Sequence, residues 1–241
     1  MNKKLNSKIH SGDNFFTIQK SAFESKESTV ISFLNPFSYY EVVKEESLIN
    51  DVDVYFSDGA LLCILHNLFL PKITRASFDY SSIAEPFLRY VELKNKRIAI
   101  IGATSDENFH AVTNLQKQFP NLNIVYQRDG YINNLGETIA ELDRLKPEVV
   151  LVGMGTPYQE RFSINLKQQL NNPAVIITCG GFLTQTSIKP DYYHPVVKKL
   201  GLRWLQRMIL HKHVRERVLN KYPKFTVSYL YKMIGYKLAK K

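Results

Sequence analysis

The chain has 241 residues, 44% of them hydrophobic, which is enough for one sizeable α/β domain with an appendage. Two cysteines, Cys63 and Cys179, each inside an apolar run, exclude a disulfide framework and suit a reducing cytoplasm. The net charge of +10 is concentrated at the end of the chain: residues 196–241 carry 13 Lys/Arg and one acid, Glu216, whereas the rest holds 19 bases against 21 acids. A neutral-to-acidic body with a basic tail suits an anionic surface, without distinguishing phospholipid, RNA or a phosphorylated substrate. The N-terminal stretch MNKKLNSKIHSGDNFF has no apolar h-region. The longest apolar run, Gly59 to Leu70, contains His66 and Asn67 and falls short of a membrane span, so a soluble or peripheral protein is expected.

In chain order, the pattern predicts a strand over Thr29–Leu34, a helix over Pro36–Ile49 opened by Asn35-Pro36, a short strand over Val52–Phe56 and an apolar helix over Gly59–Leu70. A helix over Ser82–Leu93 precedes a buried strand at Arg97–Ala103 and a helix at Asp106–Gln118. Then follow a strand at Asn123–Gln127, a helix at Leu135–Leu145, a strand at Glu148–Gly153, a helix at Pro157–Leu170 and a last strand at Ala174–Thr178. Such alternation implies a Rossmann-like parallel sheet covered by helices on both faces. Ligands of such sheets sit beyond the carboxyl ends of the strands. The loops FLNP, FSDG, IGATS, QRDGY and VGMGTPYQE therefore carry the interest, and Gly102, Gly130, Gly153 and Gly155 there permit either tight turns or a ligand's close approach.

Within VGMGTPYQE, Thr156 is placed to cap a helix, with Pro157 at its first position and Gln159 completing a capping box. Glu160 in the first turn suits the helix dipole. IGATS has a single glycine, Gly102, so it does not make a dinucleotide fingerprint, and no P-loop follows any strand. Asp51-Val52-Asp53 is a D-x-D without a third acid or histidine nearby, which argues against a metal. Asp58, at a strand's carboxyl end before an apolar helix, fits either an N-cap or a partly desolvated general base. The tail interleaves its bases with Trp204, Leu205, Met208, Ile209, Tyr229 and Tyr231. That mixture suits a helix lying in a membrane interface, and it is also compatible with an RNA groove or with packing on the core.

Together these motifs resemble the WecG/TagA/CpsF glycosyltransferases (glycosyltransferase family 26) over roughly Val30 to Arg217. The resemblance rests on FSDG at Phe56–Gly59, RASFD at Arg75–Asp79, RDGY at Arg128–Tyr131, VGMGTPYQE and GLRWLQR at Gly201–Arg207, in that order. It implies an inverting transfer of a sugar from a UDP-sugar to a polyprenyl-diphosphate-linked saccharide, on the inner face of the cytoplasmic membrane, with neither metal nor cofactor. Carried over by position, Asp58 is the general base. Gly102, Gly130, Tyr131, Gly153, Pro157, Gln159 and Glu160 line the donor pocket, with the helix N-terminus behind Pro157 facing the diphosphate. Arg75 neutralises diphosphate charge or orients the acceptor, and Arg207 with Arg215 or Arg217 addresses the lipid diphosphate. The chain then divides into an N-terminal extension (1–28), an α/β catalytic domain (29–195) and a basic appendage (196–241) that engages an anionic membrane and the acceptor. Self-association of the apolar tail stays open, and no nucleic acid is expected.

The sequence also departs from the family pattern. Phe33 stands where a threonine is frequent, with Ser32 one position earlier, and Tyr158 replaces the signature lysine. RASFD is one residue shorter than usual and lacks a glycine, and Thr184 occupies a frequent aspartate position. His211-Lys212 replaces a glutamate-proline pair after Arg207. These differences point to a capsule or exopolysaccharide branch and leave the donor sugar open. The rival readings are a non-catalytic α/β module binding a nucleotide, or RNA through its tail, and a Rossmann-like enzyme using S-adenosylmethionine.

Overall fold

The computed structural model describes residues 2–189, 197, 203–210 and 212–238. Its strands are β1 (Ile9–His10), β2 (Thr29–Leu34), β3 (Val54–Ser57), β4 (Ile98–Gly102), β5 (Ile124–Arg128), β6 (Val149–Gly153) and β7 (Val175–Thr178). They form one sheet in the order β1-β3-β2-β7-β6-β4-β5, with every pairing parallel. The apolar runs are continuous because both faces of the sheet are covered.

Alternation along each strand divides the core in two. Val30, Leu34, Val150, Val152 and Ile176 face one layer, made by α3 (Pro36–Val43), α4 (Glu46–Asp51), α5 (Ala60–Asn67), α8 (Leu135–Leu145) and α9 (Tyr158–Gln169). Ile31, Phe33, Leu151, Val175 and Ile177 face the other, made by α2 (Phe15–Glu24), α6 (Ala84–Leu93), α7 (Ser105–Gln118) and α10 (Phe182–Ile188). The short α1 (Lys3–Ser7) precedes β1 and buries Leu5 in the first layer. The expected α/β architecture is thus the observed one.

Two elements differ from expectation. The single helix expected over Pro36–Ile49 is two, broken at Glu45, whose backbone is extended and whose carboxylate takes two hydrogen bonds from Arg161 on α9. A helix-wide apolar pattern does not reveal that break, because the tie to Arg161 is made 116 residues away in sequence. The segment read as an N-terminal extension supplies the edge strand β1, and its Phe15 is fully buried against Phe56 and Phe87.

The end of the chain forms α11 (Arg203–Leu210), α12 (Lys212–Asn220) and α13 (Tyr222–Leu238). α13 folds back onto α3. Phe225, Tyr229 and Met233 are buried at helical spacing, with Phe225 and Tyr229 stacked edge-on against Tyr39. Tyr40 donates its hydroxyl to the Lys224 carbonyl, and the Lys221 ammonium sits 4.5 Å from the centre of the Phe37 ring. The opposite face of α13 exposes Val227, Tyr231, Ile234 and Leu238. Among the described residues no helix is long and apolar enough to cross a membrane.

This packing has a direct test in urea denaturation. Phe225→Ala should lower the free energy of unfolding by about 3 kcal/mol, and Tyr231→Ala on the open face should change it by no more than about 0.5 kcal/mol. Equal losses from the two substitutions would mean that α13 is not docked through Phe225.

Candidate active site

β4 and β6 are neighbours, yet the chain leaving β4 runs outward to β5 while the chain leaving β6 runs the other way to β7. A crevice opens above such a switch point. The two strands end level, Gly102 paired with Gly153. Gly102 has φ +143°, and a Cβ there would lie 2.2 Å from the Gly153 carbonyl oxygen, so only glycine fits. A Cβ on Gly130 would approach Met154 Cγ to 3.1 Å and Gly102 Cα to 3.3 Å. Three of the glycines expected around the donor therefore meet in one place. Their immediate use is contact between backbones.

Asn108 on α7 braces this corner, its side-chain amide donating to the carbonyls of Gly102 (3.0 Å) and Arg128 (2.8 Å). The helix beneath it begins with a full capping box between Thr104 and Glu107. Tyr131 stands on the rim, 71% exposed, its amide turned in to Asp129 Oδ1 at 2.7 Å.

The TPYQE segment folds differently from the capping box expected of it. α9 begins at Tyr158, Pro157 occupies the cap position after a cis Thr156–Pro157 bond, and no side chain caps the helix. Thr156 instead donates its hydroxyl to Glu160 Oε1 at 3.1 Å. Gln159 is buried, and its side-chain oxygen accepts from the amides of Gly155 (3.2 Å) and Gly180 (3.1 Å), tying the loop after β6 to the loop after β7.

Glu160 does not reach the mouth of the sheet. It is fully buried between α9 and the strands, where its Oε1 accepts from Ser32 Oγ (2.8 Å) and Gln159 Nε2 (3.0 Å) as well as from Thr156. Ser32 accepts in turn from Thr178 Oγ1 at 2.9 Å if its own proton is committed to Glu160. No cation is among these partners, and burial pushes the Glu160 carboxyl above its ordinary value despite the hydrogen bonds.

At the carboxyl end of β3, Asp58 precedes α5, but the cap position belongs to Gly59, which makes no side-chain cap bond. Asp58 is held instead by Arg75. The Arg75 Nε donates to the Asp58 carbonyl at 2.5 Å, and Nη2 reaches Asp58 Oδ1 at 3.1 Å and Asp79 Oδ2 at 2.8 Å. Asp79 Oδ1 accepts from both the amide and the hydroxyl of Ser81. Burial by itself would lower the Arg75 guanidinium, but Asp58 and Asp79 outweigh it and hold it above its ordinary value. Asp58 Oδ2 has no hydrogen-bond partner among the described residues, and the side chain is about a quarter exposed. The N-terminal segment supports this corner: the Gly12 amide donates to the Thr74 carbonyl, and a Cβ on Gly12 would fall 2.6 Å from the Arg75 carbonyl oxygen.

Arg215 is exposed on α12. Arg207 lies in α11 and Arg217 in α12, but their side chains lie outside the described residues, as do Gly201 and Leu202 of the GLRWLQR motif. Asp53 is engaged at the start of β3, accepting from the Val30 amide and pairing with Lys167. Among the described residues no three His, Cys, Asp or Glu side chains gather as a metal site requires.

Residues 4–239 match the model of the family described as "Glycosyl transferase WecG/TagA/CpsF family". The chain belongs to this glycosyltransferase family. It is 41% identical over 211 residues to a UDP-Gal:alpha-D-GlcNAc-diphosphoundecaprenol beta-1,4-galactosyltransferase of Shigella boydii, covering 86% of this chain and 88% of the relative. It is 26% identical over 216 residues to an N-acetylglucosaminyldiphosphoundecaprenol N-acetyl-beta-D-mannosaminyltransferase of Bacillus subtilis (strain 168), covering 88% and 83%. A protein of the same name from Staphylococcus aureus (strain MRSA252) is 25% identical over 165 residues, covering 68% of this chain and 63% of the relative.

For this glycosyltransferase, inspection of the sequence assigns no role to Asp79, Thr178, Gly180, Asn108 or Gly12. Two of these had a visible signal: Thr178, like Ser32, is a hydroxyl set into an otherwise apolar strand (VIIT, as TVISFL for Ser32), and Asp79 is four residues beyond Arg75. The partner of each is set by the fold.

Two expected outcomes follow from this geometry. Gly102→Ala should cost about 2 kcal/mol or more in chemical denaturation, since it adds both left-handed strain and a collision with backbone. The buried Glu160 binds its proton more tightly when folded than its ordinary value of 4.5 allows in the unfolded chain. Its stabilising contribution is therefore complete below that pH and is lost as pH rises toward the folded value, by up to ~1.4 kcal/mol per pH unit. Glu160→Gln should flatten the pH dependence of unfolding above 4.5 relative to wild type; identical slopes would contradict a proton held at Glu160.

Proposed function

We propose that this glycosyltransferase moves a hexose from a UDP-sugar, UDP-galactose being the first donor to try, to an N-acetylglucosaminyl-diphosphoundecaprenol acceptor, with inversion at the anomeric carbon and Asp58 as general base. The activities for which the Shigella boydii and Bacillus subtilis relatives are named support the substrate classes, and both names specify a β linkage. The observation that carries the catalytic assignment is Asp58: a carboxylate at the carboxyl edge of the sheet, clamped through Oδ1 by Arg75, with Oδ2 free of hydrogen bonds among the described residues.

In this reading Asp58 Oδ2 takes the proton of the acceptor hydroxyl as its oxygen attacks the anomeric carbon. The bond from that carbon to the β-phosphate oxygen breaks, and UDP leaves with the electron pair. An α-linked donor thereby becomes a β-linked product. The Arg75 charge is already matched by Asp58 and Asp79, so its part is to aim the base and the acceptor, and a free diphosphate would need other cations. The N-terminus of α9 behind Pro157 meets the donor diphosphate, and Arg207, Arg215 and Arg217 meet the lipid diphosphate. β3 is separated from β6 by β2 and β7, three steps of ~4.8 Å or about 14 Å. The uridine then lies over the β4–β6 crevice near Gly102, Gly130, Tyr131 and Gly153, with the sugar directed toward Asp58.

The exposed face of α13, with Val227, Tyr231, Ile234 and Leu238 beside Lys224 and Lys232, faces an anionic bilayer at the inner surface of the cytoplasmic membrane. Each such lysine contributes ~1 kcal/mol near an anionic surface. In this reading residues 196–241 act as the membrane and acceptor segment of a catalytic domain that ends near residue 195.

Calorimetry against UDP, GDP, CMP, NAD and S-adenosylmethionine should show selective binding of UDP. Asp58→Asn should lower transfer to the lipid-linked acceptor by about 100-fold or more while UDP binding persists. Near-normal transfer in that variant would remove Asp58 from the role of base, and binding of another ligand in place of UDP would overturn the donor class.

A further inference from the structure

Gln159 and Glu160 are adjacent in the chain but do different things. The Gln159 side-chain amide can be placed two ways round, and its surroundings select one. On one side two backbone N–H groups, those of Gly155 and Gly180, demand an acceptor. On the other, Glu160 Oε1 and the Thr156 hydroxyl stand 3.0 and 3.5 Å from Nε2. Among the described residues the Gly155 and Gly180 loops share no other side-chain hydrogen bond, and both glycines have positive φ, +76° and +53°, with open space where a side chain would stand. Gln159 is therefore the clasp, and Glu160 supplies the acceptor that keeps its amide oriented.

We propose that Glu160 is a positioning residue that acts through Gln159: from a fully buried site it fixes the carboxamide with its oxygen toward Gly155 and Gly180, and so sets the spacing of the β6–α9 and β7–α10 loops at the edge that receives the donor. Ser32 and Thr178 belong to the same device, since they anchor Glu160 to β2 and β7. The network links β2 and β7 to the loops after β6 and β7, through side chains that end on two backbone amides. Glu160 Oε2 is buried with no hydrogen-bond partner among the described residues, so only one oxygen of the carboxyl is used. A glutamine at this position keeps that one acceptor, whereas a methionine of similar length removes it.

The proposal rests on the donor lying at these loops, and the test separates the two ideas. Amide hydrogen exchange of the whole chain is followed by NMR in wild type, Glu160→Met and Glu160→Gln. In Glu160→Met the Gly155 and Gly180 amides should exchange at least about 10-fold faster, at unchanged protection of the β4 amides, with Glu160→Gln recovering most of the loss. Ser32→Ala, a milder change, should shift the same two amides in the same direction and serves if the methionine variant does not fold. Exchange of Gly155 and Gly180 that stays at the wild-type rate, or that rises only in step with β4, overturns the positioning role.

Transfer kinetics are then measured with UDP-galactose and the lipid-linked acceptor. A donor KM raised about 10-fold in Glu160→Met, with acceptor KM unchanged, supports placement of the donor at these loops. Faster exchange with an unaltered donor KM overturns that placement, and the proposed donor site fails while the clasp stands.

Discussion

β4 and β6 run side by side in register and end together on Gly102 and Gly153, with the Gly153 carbonyl occupying the space where a side chain on Gly102 would be. This contact between two backbones sets the geometry of everything at the sheet's carboxyl edge. Because the chain departs in opposite directions from the two strands, the edge opens there, and Gly130 closes the third side by approaching Gly102. The absence of side chains at these positions brings backbone against backbone at this corner. Specific chemistry must therefore come from groups further along the edge.

Those groups handle charge in two different ways. Around Asp58 the charges are paired and partly exposed: one guanidinium shared by two carboxylates, and a carboxylate oxygen left over. Around Glu160 no cation is present among its partners, the group is sealed, and hydroxyls and an amide carry the hydrogen bonds. An ionised carboxylate there would have to bear its desolvation without an opposite charge, and this favours the neutral form. The first arrangement suits exchange of a proton with a substrate. The second suits holding loops in place, since buried hydrogen bonds that satisfy one another are costly to break.

The chain's two ends extend this division of labour. The N-terminal segment presses Gly12 against the backbone of Arg75 and so stiffens the clamp on Asp58. The C-terminal helix α13 fixes itself to α3 through Phe225, Tyr229 and Met233 and leaves an apolar face with lysines beside it open. Family membership matches this extent, since the matched region runs from residue 4 to residue 239 and so includes both ends.

Much of this was legible in the sequence. Apolar strands alternating with amphipathic segments determine a helix-covered parallel sheet, because a strand buried on both faces must be apolar throughout while a surface helix must be so on one side. The ordered motifs FSDG, RASFD, RDGY and VGMGTPYQE likewise resemble the family to which the chain belongs. Tertiary structure alone decided what each polar residue does. Thr156 and Gln159 have the spacing of a capping box, but Glu160, Gly155 and Gly180 offer them better partners. Asp58 has the position of a cap but is taken by Arg75. Glu160 sits where the local rules favour an exposed acid, yet the turn of α9 carries it under the sheet to Ser32, 128 residues earlier. Local spacing reports which hydrogen bonds a residue is able to make; the partner that wins is whichever distant group the fold brings within about 3 Å, and that competition is not written in any short stretch of chain.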